Sequence, residues 1–116
     1  MFFPVSDWSA AFAVTLAVEV PIVIILVRRQ APDIARLGVI IVAANLATHL
    51  AVWYVFTQLL LVGTTAYLLV SETWAVGAEA LVYWAALHAV SARRAITVSL
   101  IANAASFVVG RLIGLL

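Results

Sequence analysis

The chain has 116 residues, room for one domain at most, and no cysteine, which excludes disulfides, iron–sulfur clusters and thiolate metal sites. It is 67% apolar and only 9% charged, where soluble domains carry about 25% charge, and a water-soluble fold this small cannot hide that much apolar surface. The net charge of +1 gives no hold on nucleic acid, and the strict period-two alternation of a β-barrel is absent. The sequence therefore predicts an all-α integral membrane protein: a four-transmembrane-helix bundle with the lipid bilayer as its partner. In a bacterium this is the cytoplasmic membrane.

The first apolar run, residues 8–27, is long enough to cross a bilayer, with Ser6 or Asp7 as its N-cap. Residues 1–8 contain no Lys or Arg, so the basic region of a cleaved signal peptide is missing. The run holds Glu19 and Pro21. A carboxylate at the centre of a bilayer costs roughly 2.5–3.5 kcal/mol on insertion scales. Pro21 has no N–H, so the carbonyl of Ala17 loses its helical partner and the helix should bend. Acid and freed carbonyl would then make one polar spot that other helices must satisfy.

Arg28-Arg29-Gln30-Ala31-Pro32-Asp33 is a short polar loop, and Asp33 reads as the N-cap of a second helix over residues 34–56. From Leu37 to Ser71 there is no charge at all. Gly63-Thr64-Thr65 is the one break signal in that stretch. Residues 57–70 read either as extensions of two tilted helices meeting near Gly63 or as an interfacial or re-entrant segment. The aromatics Trp53, Tyr54 and Trp74, level with Trp8, favour the second reading because they fit a headgroup belt.

A third helix is expected over residues 72–90, opened by Glu72, whose carboxylate suits the helix dipole. Ser91-Ala92-Arg93-Arg94 reads as a tight basic turn before a fourth helix over residues 95–113. Helices one and three carry the acids, and two and four carry Asn45 and Asn103. Five of the six arginines flank the first and third loops, so both loops are cytoplasmic and both termini lie outside. Arg111 is the exception and can snorkel to the outer headgroups.

With that topology, Glu19, Asn45 and Asn103 lie roughly 13 Å from the cytoplasmic ends, and His49, Glu79 and Ser106 roughly 18–20 Å, at about 1.5 Å per residue. All six fall near the membrane middle. Helical spacing puts them on one face per helix: Ala11, Thr15 and Glu19; Asn45, Thr48, His49 and Trp53; Glu72, Val76, Glu79 and Tyr83; Ser99, Asn103, Ser106 and Gly110. Lipid cannot satisfy those faces, so they turn inward. A second row on helix four, Ala102, Ser106, Gly110 and Gly114, lets a neighbouring backbone approach closely, inside the bundle or at a dimer seam.

Asn and Ser alone would serve as interhelical glue, but Asn or Gln could replace Glu in that role. Two carboxyl groups and a His instead read as an ion, proton or substrate site built from Glu19, Asn45, His49, Glu79, Asn103 and Ser106. Glu72 and Tyr83 are the candidate gates. No organic cofactor is called for. A divalent cation is the one inorganic group to consider, with Glu19, His49 and Glu79 as the ligand set. The expected function is a proton- or cation-coupled transporter or channel, working as a homo-oligomer because four short helices make a thin wall.

Four helices with a glutamate inside the first resemble the layout of the small multidrug resistance transporters, which implies a key role for Glu19. The chain departs from them by adding Glu79 and His49, by lacking aromatic-rich surroundings at Glu19, and by an arginine bias that fixes one orientation. A different class is an accessory or assembly subunit of a larger membrane complex, suggested by the bare apolar stretch Leu59 to Val70. The sequence leans against an enzyme. Ser106, His49 and Glu79 have the residue types of a nucleophile, base and orienter, but no glycine-rich oxyanion loop is near Ser106. His88 differs from His49 in depth, which argues against paired haem ligation.

Overall fold

A computed structural model describes residues 5–113, with side chains from Trp8 onward. The described chain is all helix and turn: α1 (Val5–Val27), α2 (Ile34–Leu50), a π-helical turn (Ala51–Val55), α3 (Phe56–Leu59), α4 (Thr65–Ala86) and α5 (Ala92–Leu112). Three stretches are long and apolar enough to cross a membrane: Trp8–Val27, Ile34–Leu59 and Ala92–Leu112. The helix α4 has similar length but carries Glu72 and Glu79.

The helices start where short polar side chains accept from the open first turn. The Asp33 carboxylate accepts from Arg36 N–H at 3.1 Å, Thr64 Oγ1 from Tyr67 N–H at 3.2 Å, and Ser91 Oγ from Arg94 N–H at 3.2 Å. Asp33 is thus the expected cap, whereas Ser6 and Asp7 are not: α1 already begins at Val5.

The stretch after residue 56 departs from the interfacial or re-entrant reading. The helix continues to Leu59, and α4 starts at Thr65. Residues 60–64 form a tight hairpin in which Gly63 takes φ +89°, a conformation that suits glycine. The Tyr67 hydroxyl donates to the carbonyl of Val52 at 2.9 Å and ties the two helix ends together. Glu72 therefore sits two turns inside α4, not at its first turn, and the dipole role expected for it is lost. Arg93 and Arg94 form the first turn of α5 behind the Ser91 cap, not a turn between helices.

The π-helical turn has its backbone bonds shifted by one residue. Phe56 N–H donates to Ala51 C=O, five residues back. Thr57 Oγ1 then donates to the carbonyl of Trp53 at 2.9 Å. Such turns widen a helix and turn neighbouring side chains to new directions.

In the bundle α1 packs on α2 and α5, and α4 packs on the same two, so α1 and α4 face each other across the centre. The bundle is 41 Å long and about 20 Å across. One end carries the hairpin. The other, the arginine end, carries the connections 28–33 and 87–91, where Arg36 donates to the carbonyl of Ala86 at 3.4 Å. The usual polarity of a soluble fold is reversed. Glu19, Asn45, Thr48, Glu79, Ser99 and Asn103 are buried, while Ile25, Val39, Leu69, Leu81 and Leu100 are exposed. Ala102, Ser106 and Gly110 face the interior, so this part of the small-residue row packs inside the bundle; Gly114 lies outside the described residues.

Candidate functional site

The Glu19 and Glu79 side chains reach from α1 and α4 to the bundle axis, and both are essentially without exposure, at 0% and 1%. The two carboxyl groups are close neighbours at the bundle axis. Two carboxylates offer only acceptors, so a bond between them would need a proton. Neutral donors surround the pair. Ser106 Oγ donates to Glu19 Oε2 at 2.6 Å; Thr48 Oγ1 donates to Glu79 Oε2 and Asn103 Nδ2 to Glu79 Oε1, each at 3.0 Å. All four long helices thus contribute to one hydrogen-bonded cluster.

Each donor is held by its own helix. Thr48 also donates to the carbonyl of Asn45 at 3.0 Å, and Asn103 to the carbonyl of Ser99 at 2.9 Å. Ser99 Oγ crosses to the carbonyl of Val76 at 2.8 Å and fixes α5 against α4. Interhelical bonds of this kind are worth about 0.6–2 kcal/mol each where no water competes.

The cluster lies at the foot of a cavity of about 80 Å³ that extends toward the hairpin end between Thr15, His49, Trp53, Ser71, Glu72 and Phe107. That is space for a few waters, and well below the roughly 300–1,000 Å³ of pockets for drug-sized ligands. A separate hollow of about 240 Å³ opens at the arginine end between the connections and Arg36, Leu37 and Leu87. The two share no lining residue. In α2 Ile41 stands between them, and in α4 Tyr83 does. Both are fully buried in an apolar cluster with Val23, Val27, Val98 and Ala102.

Glu19, Asn45, Glu79, Asn103 and Ser106 are therefore brought together. His49 is set apart: its Nε2 is 3.2 Å from Thr15 Oγ1 and its ring meets Phe12 edge-on, nearer the cavity mouth. Among the described residues no group of three or more His, Cys, Asp or Glu side chains could hold a metal, so the Glu19–His49–Glu79 ligand set is not assembled. The Ser106–His49–Glu79 arrangement is not assembled either, because the Ser106 hydroxyl is committed to Glu19 and to the carbonyl of Asn103 at 3.1 Å. Of the two candidate gates, Glu72 lines the cavity and Tyr83 does not; the Tyr83 hydroxyl is buried without a hydrogen-bond partner. The polar spot expected from Pro21 is also absent. Ala17 and Pro21 share the exposed side of α1, opposite Glu19.

Sequence reasoning placed Thr48 and Thr15 on the right faces but gave them no part in the site. The signal was their spacing from Asn45 and Glu19. A membrane threonine usually bonds its own helix, so spacing alone does not reveal a bond to another. Compared with known proteins, the chain matches no protein-family model, no curated protein and no solved structure.

Proposed function

We propose that the chain spans the membrane with four helices and moves protons or small cations through the Glu19–Glu79 pair, as a homo-oligomer. Three stretches already meet the length and apolarity of a span. The fourth span would be α4, because Glu79 is turned inward and Glu72 into the cavity while Leu69, Leu81 and Trp84 form its outer side. Arg28, Arg29, Arg36, Arg93 and Arg94 gather at one end, which supports a cytoplasmic side for that end.

The observation that carries this reading is two buried carboxyl groups at the foot of one water-sized cavity, with only neutral donors on them. A purely structural network has no need of two acids at that point. A fixed countercharge would come from Arg or Lys, and none is there, so a mobile cation or proton supplies the balance. The hollows at opposite ends, separated by Ile41 and Tyr83, suit a path closed on one side at a time. In this path Glu72 attracts cations at the mouth, and His49 with Thr15 passes a proton inward.

The test is flux in liposomes. Purified protein with a pH-sensitive dye inside is exposed to proton and cation gradients, and wild type is compared with Glu19→Gln and Glu79→Gln. Either change should lower flux by about tenfold or more, as loss of an essential ionisable group does. Wild-type flux in both variants would end the transport reading.

A second reading, an accessory subunit of a larger membrane complex, is favoured by the exposed leucines Leu59, Leu61 and Leu69 near the hairpin. It expects a polydisperse isolated protein with no flux.

A further inference from the structure

We infer that the hollow at the arginine end is a binding site for one anionic phospholipid, with its phosphate on Arg36 and the upper part of an acyl chain against Leu37 and Leu87. This needs the arginine end to lie at a headgroup layer, but not that the chain moves ions. The hollow exists because small side chains meet where two helices stop. The helix α1 ends at Val27 and α4 at Ala86, and Ala31, Ala86 and Ala89 are too small to fill the space of about 240 Å³ left between the connections. Leu37 and Leu87 give that space an apolar wall. Polar capacity is left over beside it. Gln30 Oε1 is buried and receives no hydrogen bond. Arg36 is exposed, and it donates to the carbonyl of Ala86 over a long 3.4 Å.

Charge selects the occupant. Residues 28–36 and 87–94 hold five arginines and one acid, Asp33, whose carboxylate is engaged by the Arg36 backbone N–H at 3.1 Å. Among the described residues none of these arginines is ion-paired with a carboxylate. Such a surplus of guanidinium groups draws phosphate, and Arg binds it through charge-assisted hydrogen bonds. The apolar wall narrows the choice further. Water is held poorly where polar partners are few. A bare anion would satisfy Arg36 but lie against leucine. A plain hydrocarbon would fit the wall and leave Arg36 and Gln30 unused. A phospholipid with a glycerol headgroup meets all three: its phosphate goes to Arg36, a headgroup hydroxyl donates to Gln30 Oε1, and its chain covers the leucines. Basic pockets between membrane helices on the cytoplasmic side hold anionic headgroups in this way. Arg93 and Arg94 lie outside the hollow, so the same charge there comes without the wall.

The experiment is native mass spectrometry of the whole protein in non-ionic detergent, titrated with phosphatidylglycerol or with phosphatidylcholine of the same chains. One phosphatidylglycerol should be retained per protein, and phosphatidylcholine should bind about tenfold more weakly or worse. Arg36→Gln should weaken phosphatidylglycerol binding by about tenfold, as loss of a hydrogen bond to a charged group does. Arg94→Gln removes the same charge outside the hollow and acts only through a screened field, so it should weaken binding by about threefold or less. Ala89→Phe keeps every charge and fills the hollow; it should also weaken binding by about tenfold, and it carries the test if Arg36→Gln does not fold. Water-soluble glycerol 1-phosphate, at the concentration of the lipid, should leave the lipid bound. The inference is overturned if phosphatidylcholine binds as tightly as phosphatidylglycerol, or if glycerol 1-phosphate displaces the lipid. It is also overturned if Arg94→Gln weakens binding as much as Arg36→Gln, or if Ala89→Phe binds like wild type.

Discussion

The two halves of this bundle solve opposite problems with the same four helices. Toward the hairpin end the interior is polar and hollow, with Thr15, Asn45, Thr48, Glu72, Glu79 and Asn103 around a water-sized cavity. Between that cavity and the hollow at the arginine end the interior is packed and apolar, built from Val23, Val27, Ile41, Ala44 and Val98. From Glu19 to Val27 is about 12 Å of helix at ~1.5 Å per residue, and over that distance the interior changes from carboxyl groups to branched aliphatics. Packing alone would be served by the dry half repeated along the whole length. The polar half gives up apolar contact and places two acids where ionisation is costly, and the proposed function rests on that contrast.

The comparison is broken most severely by moving an acid across the boundary. Ile41→Asp puts a carboxylate into the dry layer with no donor near it, and should cost about 3–5 kcal/mol, enough to abolish a monodisperse peak in size-exclusion chromatography. Val52→Asp places the same side chain at the cavity wall and should leave that peak in place. Equal damage from both would mean that the cavity is not hydrated.

A smaller effect sharpens the boundary at Tyr83. Its hydroxyl sits between the halves, buried and unpartnered. Burying such a group costs about 1–3 kcal/mol, so Tyr83→Phe should raise the melting temperature in detergent. A lower melting temperature would show that the hydroxyl has a partner in the folded protein.

The polar half was largely legible in the sequence and its edges were not. Glu19, Asn45, Glu79, Asn103 and Ser106 announce themselves because each is the odd residue in an apolar run, and 3.6-residue spacing with a common depth brings them to one level. His49 is expected at the depth of Glu79 and Ser106, yet it bonds Thr15, one helical turn from Glu19 toward the hairpin end, and depth counted from the helix ends does not resolve one turn. The start of α4 was missed for a related reason. Ser71-Glu72 resembles a helix start, while the real cap, Thr64, stands in an uncharged stretch marked only by the break Gly63-Thr64-Thr65. The π-helical turn at 51–55 is a one-residue shift in backbone bonding, which periodicity over five apolar residues cannot register. The dry half carries no chemical signal of its own beyond being apolar, so its separation of the two hollows emerges only from packing.

The proposed function depends on Glu19 and Glu79 acting as one group. Infrared difference spectroscopy across a pH step reads the protonated carboxyl stretch directly. The structure predicts one coupled signal that is altered as a whole by Glu19→Gln and equally by Glu79→Gln. Two independent bands, each removed only by its own substitution and leaving the other unmoved, would contradict it.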